Sequence, residues 1–460
     1  MKVLEMVHGI IWGPWTVGIF LIVGLVLSVR CHFFQILGFK YWWKATAGSL
    51  WGEEREGDES TGAAGAHHGI TQFQSVCTAL AATVGTGNIA GVAAALVSGG
   101  PGAVFWMWIS ALIGMATAYG ETYLGVRYRF KNNRGKWICG PFVYMKKGLG
   151  IPFMAACYSF FCFLCALGMG SMVQANSAAE TLEFTWGIPS VLGSGILALL
   201  TGAVILGGIK RIGKAAEYLL PLASGIYILF SLLVLLLCAD RIPDAFLRIF
   251  QSAFGIRQVS GGIAGFGISK SIRYGISRGV FSNEAGLGSS AMIHSHAVDA
   301  VHGQQGMWSM VEVFVDTMLC CTVTALVLLC TGTAGTDGIS GIAAAFSSVF
   351  GVGAEPVLSW MIALFALATL LGWCCCGEVA VRYLGGERGV RWYRWAYCFA
   401  GGLGAVGTLS TIWTFSDLAN GLMAIPNLLG ILLLFRKTDL PDNVYRKCTK
   451  KNCKKKKNMV

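Results

Sequence analysis

Charge is what this sequence of 460 residues has least of. Only 13% of its residues are Asp, Glu, Lys or Arg, where ordinary soluble domains carry about 25%. That shortage excludes a water-solvated globular surface. Paired cysteine spacing is missing as well. The sixteen cysteines are scattered through apolar stretches and the tail, which excludes a disulfide framework and leaves them as small packing residues. The first apolar run has no basic segment before it and no small-residue cleavage site after it, and no twin-arginine pattern occurs. It therefore reads as a retained helix. No nucleophile stands with a base beside an oxyanion-type site, so the sequence is not that of an enzyme.

What is present is apolar length. Hydrophobic residues make up 55% of the chain and the mean hydropathy is +0.63. Runs long enough to cross a core of about 30 Å lie at 12–29, 72–97, 103–126, 152–182, 188–207, 213–238, 257–280, 305–331, 355–381, 392–409 and 411–435. The chain is therefore expected to be an all-α polytopic membrane protein with eleven transmembrane helices. Cytoplasmic loops retain Lys and Arg. With the N-terminus outside and the C-terminus inside, 31 of the 35 basic residues fall on the inner face, Lys270, Arg273 and Arg278 among them. This orientation suits a multi-pass protein of the cell membrane. The net charge of +12 then follows from topology, with the basic tail 437–460 touching lipid headgroups, and nucleic acid is not expected as a partner.

Setting aside residues 1–71, an extra helix and a charged cytoplasmic segment, the chain divides into 72–238 and 257–436, five helices each. Five is odd, so the halves face the membrane in opposite senses, as in the inverted repeats of secondary transporters. Each half opens with a glycine-interrupted span, "TVGTGNIAG" and "SGGIAGFGIS". "GPFVYMKKGLG" and "GISGIAAAFSSVFG" occupy matching places between the second and third helices of each half.

Some motifs mislead. Gly208 to Lys214 has GxxxxGK spacing, but Ala215 stands where magnesium needs Ser or Thr and no strand precedes it. Cys374, Cys375 and Cys376 point about 100° apart on a helix and cannot ligate one metal together. His294 and His296 read as polar groups near the inner surface.

The stretch "TALAATVGTGNIAG", 78–91, interrupts an apolar span near its middle. An unpaired backbone group in hydrocarbon costs several kcal/mol, so an unwound stretch persists only where protein, water, ion or ligand satisfies it. A helix half beginning near Asn88 would offer free N–H groups to a carboxylate. The half ending near Ala82 and Thr83 would offer carbonyls to a cation. Close helix packing through small residues is the alternative use of the same glycines.

"GGPGAVFWMWISALIGM" (99–115) and "SRGVFSNEAGLGSSAMIHSHA" (277–297) resemble the hallmarks of the alanine or glycine:cation symporter family, also called sodium:alanine symporters. "TALAATVGTGNIAGVA", "GSMVQANSAAETL", "VFVDTMLCCTVTALVLL" and "ATLLGWCCCGE" match further family stretches in the same order. The resemblance implies a leucine-transporter-like fold, with a five-plus-five inverted repeat and one extra N-terminal helix. It also implies sodium-driven symport of small neutral amino acids such as alanine or glycine. The partners would be the amino acid, a transported sodium ion and the lipid bilayer, with no resident cofactor and no obligate protein partner.

Position by position, the resemblance places Thr86, Gly87, Asn88, Gln174, Thr369 and Trp373 at the substrate, and Thr369 and Trp373, four apart, share a helical face. Ala82, Thr83 and Thr369 are the candidates for the cation. The cysteine run after Trp373 departs from the family pattern. Asp316, near the middle of its span, is a coupling candidate by its position in the membrane, with structural hydrogen bonding as the other reading. Proton coupling through Asp316 stands as the alternative to sodium. Glu378 is expected to pair with Arg382 four residues on, and Glu121 and Glu312 read as structural. Aromatic residues at 41–43, 106–108 and 392–397 are expected to anchor at the interface.

Overall fold

The computed structural model describes residues 6, 9–50, 69–132, 135–255, 261–298, 300–336, 338–351, 353–404 and 409–438. The charged segment 51–65 and all but the first two residues of the tail 437–460 lie outside them. In hydrocarbon the backbone must bond within the chain, so long apolar runs fold as helices. Among the described residues, seven helices are long and apolar enough to cross a membrane, or eight when the bent pair Gln72–Thr83 and Gly87–Gly99 is counted as one span. Ser190–Ile205 is apolar but has only 16 residues. Gly261–Asn283 has 23, with Lys270, Arg273 and Arg278 lowering its hydropathy.

Local signals set the helix ends. Thr71 and Gln74 form a reciprocal capping box at the start of Gln72–Thr83. Pro152 opens Pro152–Cys165, where a missing N–H costs nothing. The 50-residue element Ala354–Leu403 is two helices meeting at Gly386, whose φ of 63° and ψ of −161° break the ladder. This separates the expected runs 355–381 and 392–409. The matched stretches of the two halves both fold as short helices, Pro141–Gly148 and Gly338–Phe350.

Gly102–Tyr128 packs along Gly261–Asn283 and His302–Val313, while Ala354–Leu403 packs on residues 166–205 and on Ile209–Leu237. Missing side chains permit the closest approaches. A Cβ on Gly275 would stand 2.4 Å from the Ala103 carbonyl oxygen, and one on Gly372 2.7 Å from the Ala82 nitrogen. The second contact presses the 354–385 arm against the end of Gln72–Thr83.

Three expectations need correction. First, "SGGIAGFGIS" does not interrupt its span, because 261–269 is continuous helix. The break falls later, between Asn283 and Ser289, where Glu284 (φ 56°), Gly286 (φ 93°) and Gly288 (φ 86°) adopt left-handed backbone. Second, Lys270, Arg273 and Arg278 do not sit in a loop after a span ending at residue 280, because the helix Gly261–Asn283 contains all three. Ser271 donates a hydrogen bond to the Gly99 carbonyl, so this stretch packs where the first broken helix ends. Arg278 is neutralised there by Asp417 at 3.4 Å. Third, not all the aromatic residues anchor at an interface. Trp392 and Trp395 are exposed, but Trp42, Tyr393 and Tyr397 are buried in the core, because helix periodicity turns neighbouring positions to opposite sides.

Candidate functional site

Gln72–Thr83 stops where Val84 turns extended, at φ −78° and ψ 100°. The chain resumes as the π-helical turn Gly87–Gly91 and the helix Val92–Gly99, with the arms 45° apart. Of the three glycines here, only Gly85 is pressed by a neighbour. A Cβ on it would lie 2.3 Å from Thr369 Oγ1, whereas Gly87 would first meet the Phe281 ring at 3.7 Å and Gly91 nothing within 4 Å. Gly85 is therefore needed for the close approach of the Thr369 helix to the break, while no neighbour crowds Gly87 or Gly91.

The break leaves backbone groups over. Among the described residues no hydrogen bond ends on the carbonyls of Ala82, Thr83 or Val84. Thr369 Oγ1, buried beside Gly85, is likewise without a partner. Three of these oxygens belong to the residues expected to hold a cation. The donor side differs from expectation. The N–H groups of Asn88, Ile89 and Ala90 are taken by the Gly85 and Thr86 carbonyls, because the chain closes a tight turn before the helix resumes.

Asn88 ties the break to two other helices. Its Oδ1 accepts from the Gly85 N–H at 2.8 Å. Its Nδ2 donates to Asp316 Oδ1 at 2.6 Å and to Ser282 Oγ at 3.1 Å. Asp316 Oδ2 accepts from Ser282 Oγ and Thr317 Oγ1, each at 2.8 Å. Ser282 closes the helix before the second break, so this polar knot joins both interrupted elements. Thr86 Oγ1 donates to Gln174 Oε1 at 2.8 Å, bringing the fourth apolar run to the same place. π-Helical turns occur at Gly87–Gly91, Ala166–Val173 and Phe314–Cys321. They contain Asn88 and Asp316 and directly precede Gln174, as π-bulges often do at functional positions.

Trp373, one turn beyond Thr369, is fully buried. Its indole N–H donates to Glu284 Oε1 at 2.8 Å, and a Cβ on Gly170 would stand 2.3 Å from its own Cβ. Phe281, the neighbour of Gly87, stacks on Trp413 at 5.2 Å. Apart from half-buried Gly87, all the candidate residues are buried. A pocket of about 220 Å³ opens farther along the Trp373 helix, lined by Gly69, His296, Cys375, Glu378 and Arg382 among others. Glu378 there pairs with Arg382 as expected, and also with Arg394.

The remaining motifs separate. His294 bonds to Gln305 and Glu312. His296 faces Cys139 and the Met292 carbonyl, and burial lowers its pKa to about 4, so it is neutral at pH 7. No group of three or more metal-ligating side chains occurs among the described residues. Residue-by-residue reading missed Phe281, Ser282, Glu284 and Thr317. For Ser282 and Glu284 the available signal was the polar and glycine-rich "SNEAGLGS" directly after the expected run 257–280.

The sequence profile of the Sodium:alanine symporter family matches residues 1–459. The sodium/alanine symporter AgcS of Methanococcus maripaludis is 40% identical over 446 residues, covering 94% of each chain. In fold, the chain is similar to MhsT in complex with L-phenylalanine. That structure superposes with a TM-score of 0.60 at 16% identity, covering 83% of this chain and 95% of that one. A sodium-coupled sialic acid symporter in a substrate-bound outward-open state superposes at 0.53 and 13%, covering 92% and 86%. Both share the leucine-transporter-like fold. The chain belongs to the sodium:alanine symporter family.

Proposed function

We propose that this chain is a sodium-coupled symporter that carries small neutral amino acids, alanine or glycine, into the cell. The observation that carries this reading is the set of unpartnered oxygens at the first break: the Ala82 and Thr83 carbonyls and Thr369 Oγ1. Oxygen ligands of this hardness suit a small cation. They come from two elements, so a bound sodium ion would fix the end of Gln72–Thr83 against the 354–385 arm, and its release would free them. The amino acid would lie between Thr86, Gly87, Asn88 and Gln174 on one side and Trp373 on the other. The 220 Å³ pocket beyond Trp373 would be its way out.

The same reading takes eleven spans. Gly386 divides one element into two, and Ser190–Ile205 and Gly261–Asn283 count as crossings. Residues 72–238 and 257–436 form inverted repeats, each opening with a broken helix. The N-terminus lies outside and the C-terminus in the cytoplasm, in the cell membrane. A second reading puts a proton in place of sodium. It is favoured by Asp316, a buried carboxylate whose described partners are Asn88, Ser282 and Thr317, with no basic group among them. Uptake of labelled alanine into proteoliposomes decides between them. Accumulation driven by a sodium gradient at equal pH supports sodium, and accumulation driven only by a pH gradient supports the proton.

A further inference from the structure

We propose that Glu284 is a positioning residue that holds Trp373 as the wall limiting substrate size. The inference rests on the reading of Trp373 as part of the amino-acid pocket. Glu284 stands at the first position of the second break, in left-handed backbone at φ 56°. Its N–H closes onto the Val280 carbonyl, and its own carbonyl accepts from Leu287 N–H. A position of this kind after a helix usually takes Gly or Asn, because left-handed backbone strains a residue with a longer side chain. The chain nevertheless keeps glutamate here, fully buried. Asparagine would fit the turn but is one methylene shorter.

The carboxyl reaches across to another helix, where Oε1 accepts the Trp373 indole N–H at 2.8 Å. An indole has one donor, so this contact fixes how the ring is turned. At the base of the side chain Gly170 admits the Trp373 Cβ and Cγ so closely that a methyl there would stand 2.3 and 2.8 Å from them. The ring is thus held at its edge by Glu284 and at its base by Gly170. Without the carboxyl the indole N–H has no acceptor, and the ring is free to turn away and admit a larger side chain.

The test is the ratio of the valine to the alanine inhibition constant for labelled alanine uptake in proteoliposomes. Wild type is compared with Glu284→Ala, Glu284→Gln, Trp373→Ala and the double variant Glu284→Ala/Trp373→Ala. Loss of one buried hydrogen bond is expected to lower the ratio about fivefold to tenfold in Glu284→Ala. Glu284→Gln keeps an oxygen for the indole and is expected to stay within about twofold of wild type. The double variant should be no more permissive than Trp373→Ala alone, since Glu284 acts through Trp373. Where Glu284→Ala is not recovered folded, Glu284→Met, of equal length and without an oxygen, replaces it. An unchanged ratio in the Ala or Met variant, with Trp373→Ala relaxed, overturns the role of Glu284 and leaves the size wall standing. Additive effects in the double variant overturn it equally. An unchanged ratio in Trp373→Ala overturns the wall itself and the proposal with it.

Discussion

Replacing Thr369 by Val tests the cation cage with little collateral change. The two side chains have nearly the same shape, so a methyl takes the place of the hydroxyl that faces Gly85. That hydroxyl is buried and has no hydrogen bond. Burying such a group unsatisfied costs about 1–3 kcal/mol, so its removal should leave the melting temperature unchanged or higher. A hydroxyl whose role was structural would behave in the opposite way. The transported cation, by contrast, loses one of three proposed protein oxygens. Taking the contact as comparable to a hydrogen bond to a charged group, the loss is about 1.5–3 kcal/mol. At 1.4 kcal/mol per tenfold, this weakens apparent sodium affinity about tenfold to a hundredfold. The assay is alanine uptake into proteoliposomes against sodium concentration, alongside a thermal melt. Half-saturation by sodium within about twofold of wild type, in a variant that melts normally, would refute the cage.

Other substitutions probe the remaining contacts. Gly85→Ala places a methyl 2.3 Å from Thr369 Oγ1 and is expected to abolish uptake while the protein still reaches the membrane; normal uptake would show that this approach is not needed. Asn88→Ala leaves the Gly85 N–H and Asp316 Oδ1 without their partner, about 1–3 kcal/mol for each group. Stability and alanine affinity should fall together, and a variant with wild-type melting and KM would mean that the bridge is incidental. Trp373→Leu is expected to let valine and leucine compete with alanine. The shift should be graded, since a methylene in an apolar pocket is worth about 1–3 kcal/mol; competition unchanged from wild type would place Trp373 in packing alone.

Apolar run length located the helices well because hydrocarbon allows the backbone few alternatives. The break at Val84–Thr86 was legible for a related reason, since three glycines and an asparagine interrupt an apolar run where an unwound backbone needs partners. The second break was not. The glycines at 261–267 drew attention, yet they lie within the continuous helix Gly261–Asn283. The turn instead formed at Glu284, a residue whose type disfavours left-handed backbone. Charge counting took Lys270, Arg273 and Arg278 for loop residues for a similar reason. The rule weighs loops, and these three cations sit in a helix, with Arg278 paired to Asp417 on a segment about 140 residues away in sequence. The joining of Asn88 to Asp316 and of Thr86 to Gln174 depends on contacts between helices, and the π-helical turns that aim these side chains have no composition signal of their own.

The central claim is that one broken helix holds the amino acid and its sodium ion together, so that neither crosses productively without the other. The most direct test follows labelled sodium and labelled alanine in the same proteoliposomes, with the membrane potential clamped and then imposed. Alanine should draw in sodium at a fixed ratio at every alanine concentration. A zwitterion moving with one cation carries one charge, so an interior-negative potential of 100 mV contributes about 2.3 kcal/mol, or roughly fortyfold accumulation. Alanine accumulation without sodium influx, sustained by a proton gradient alone, would contradict the account.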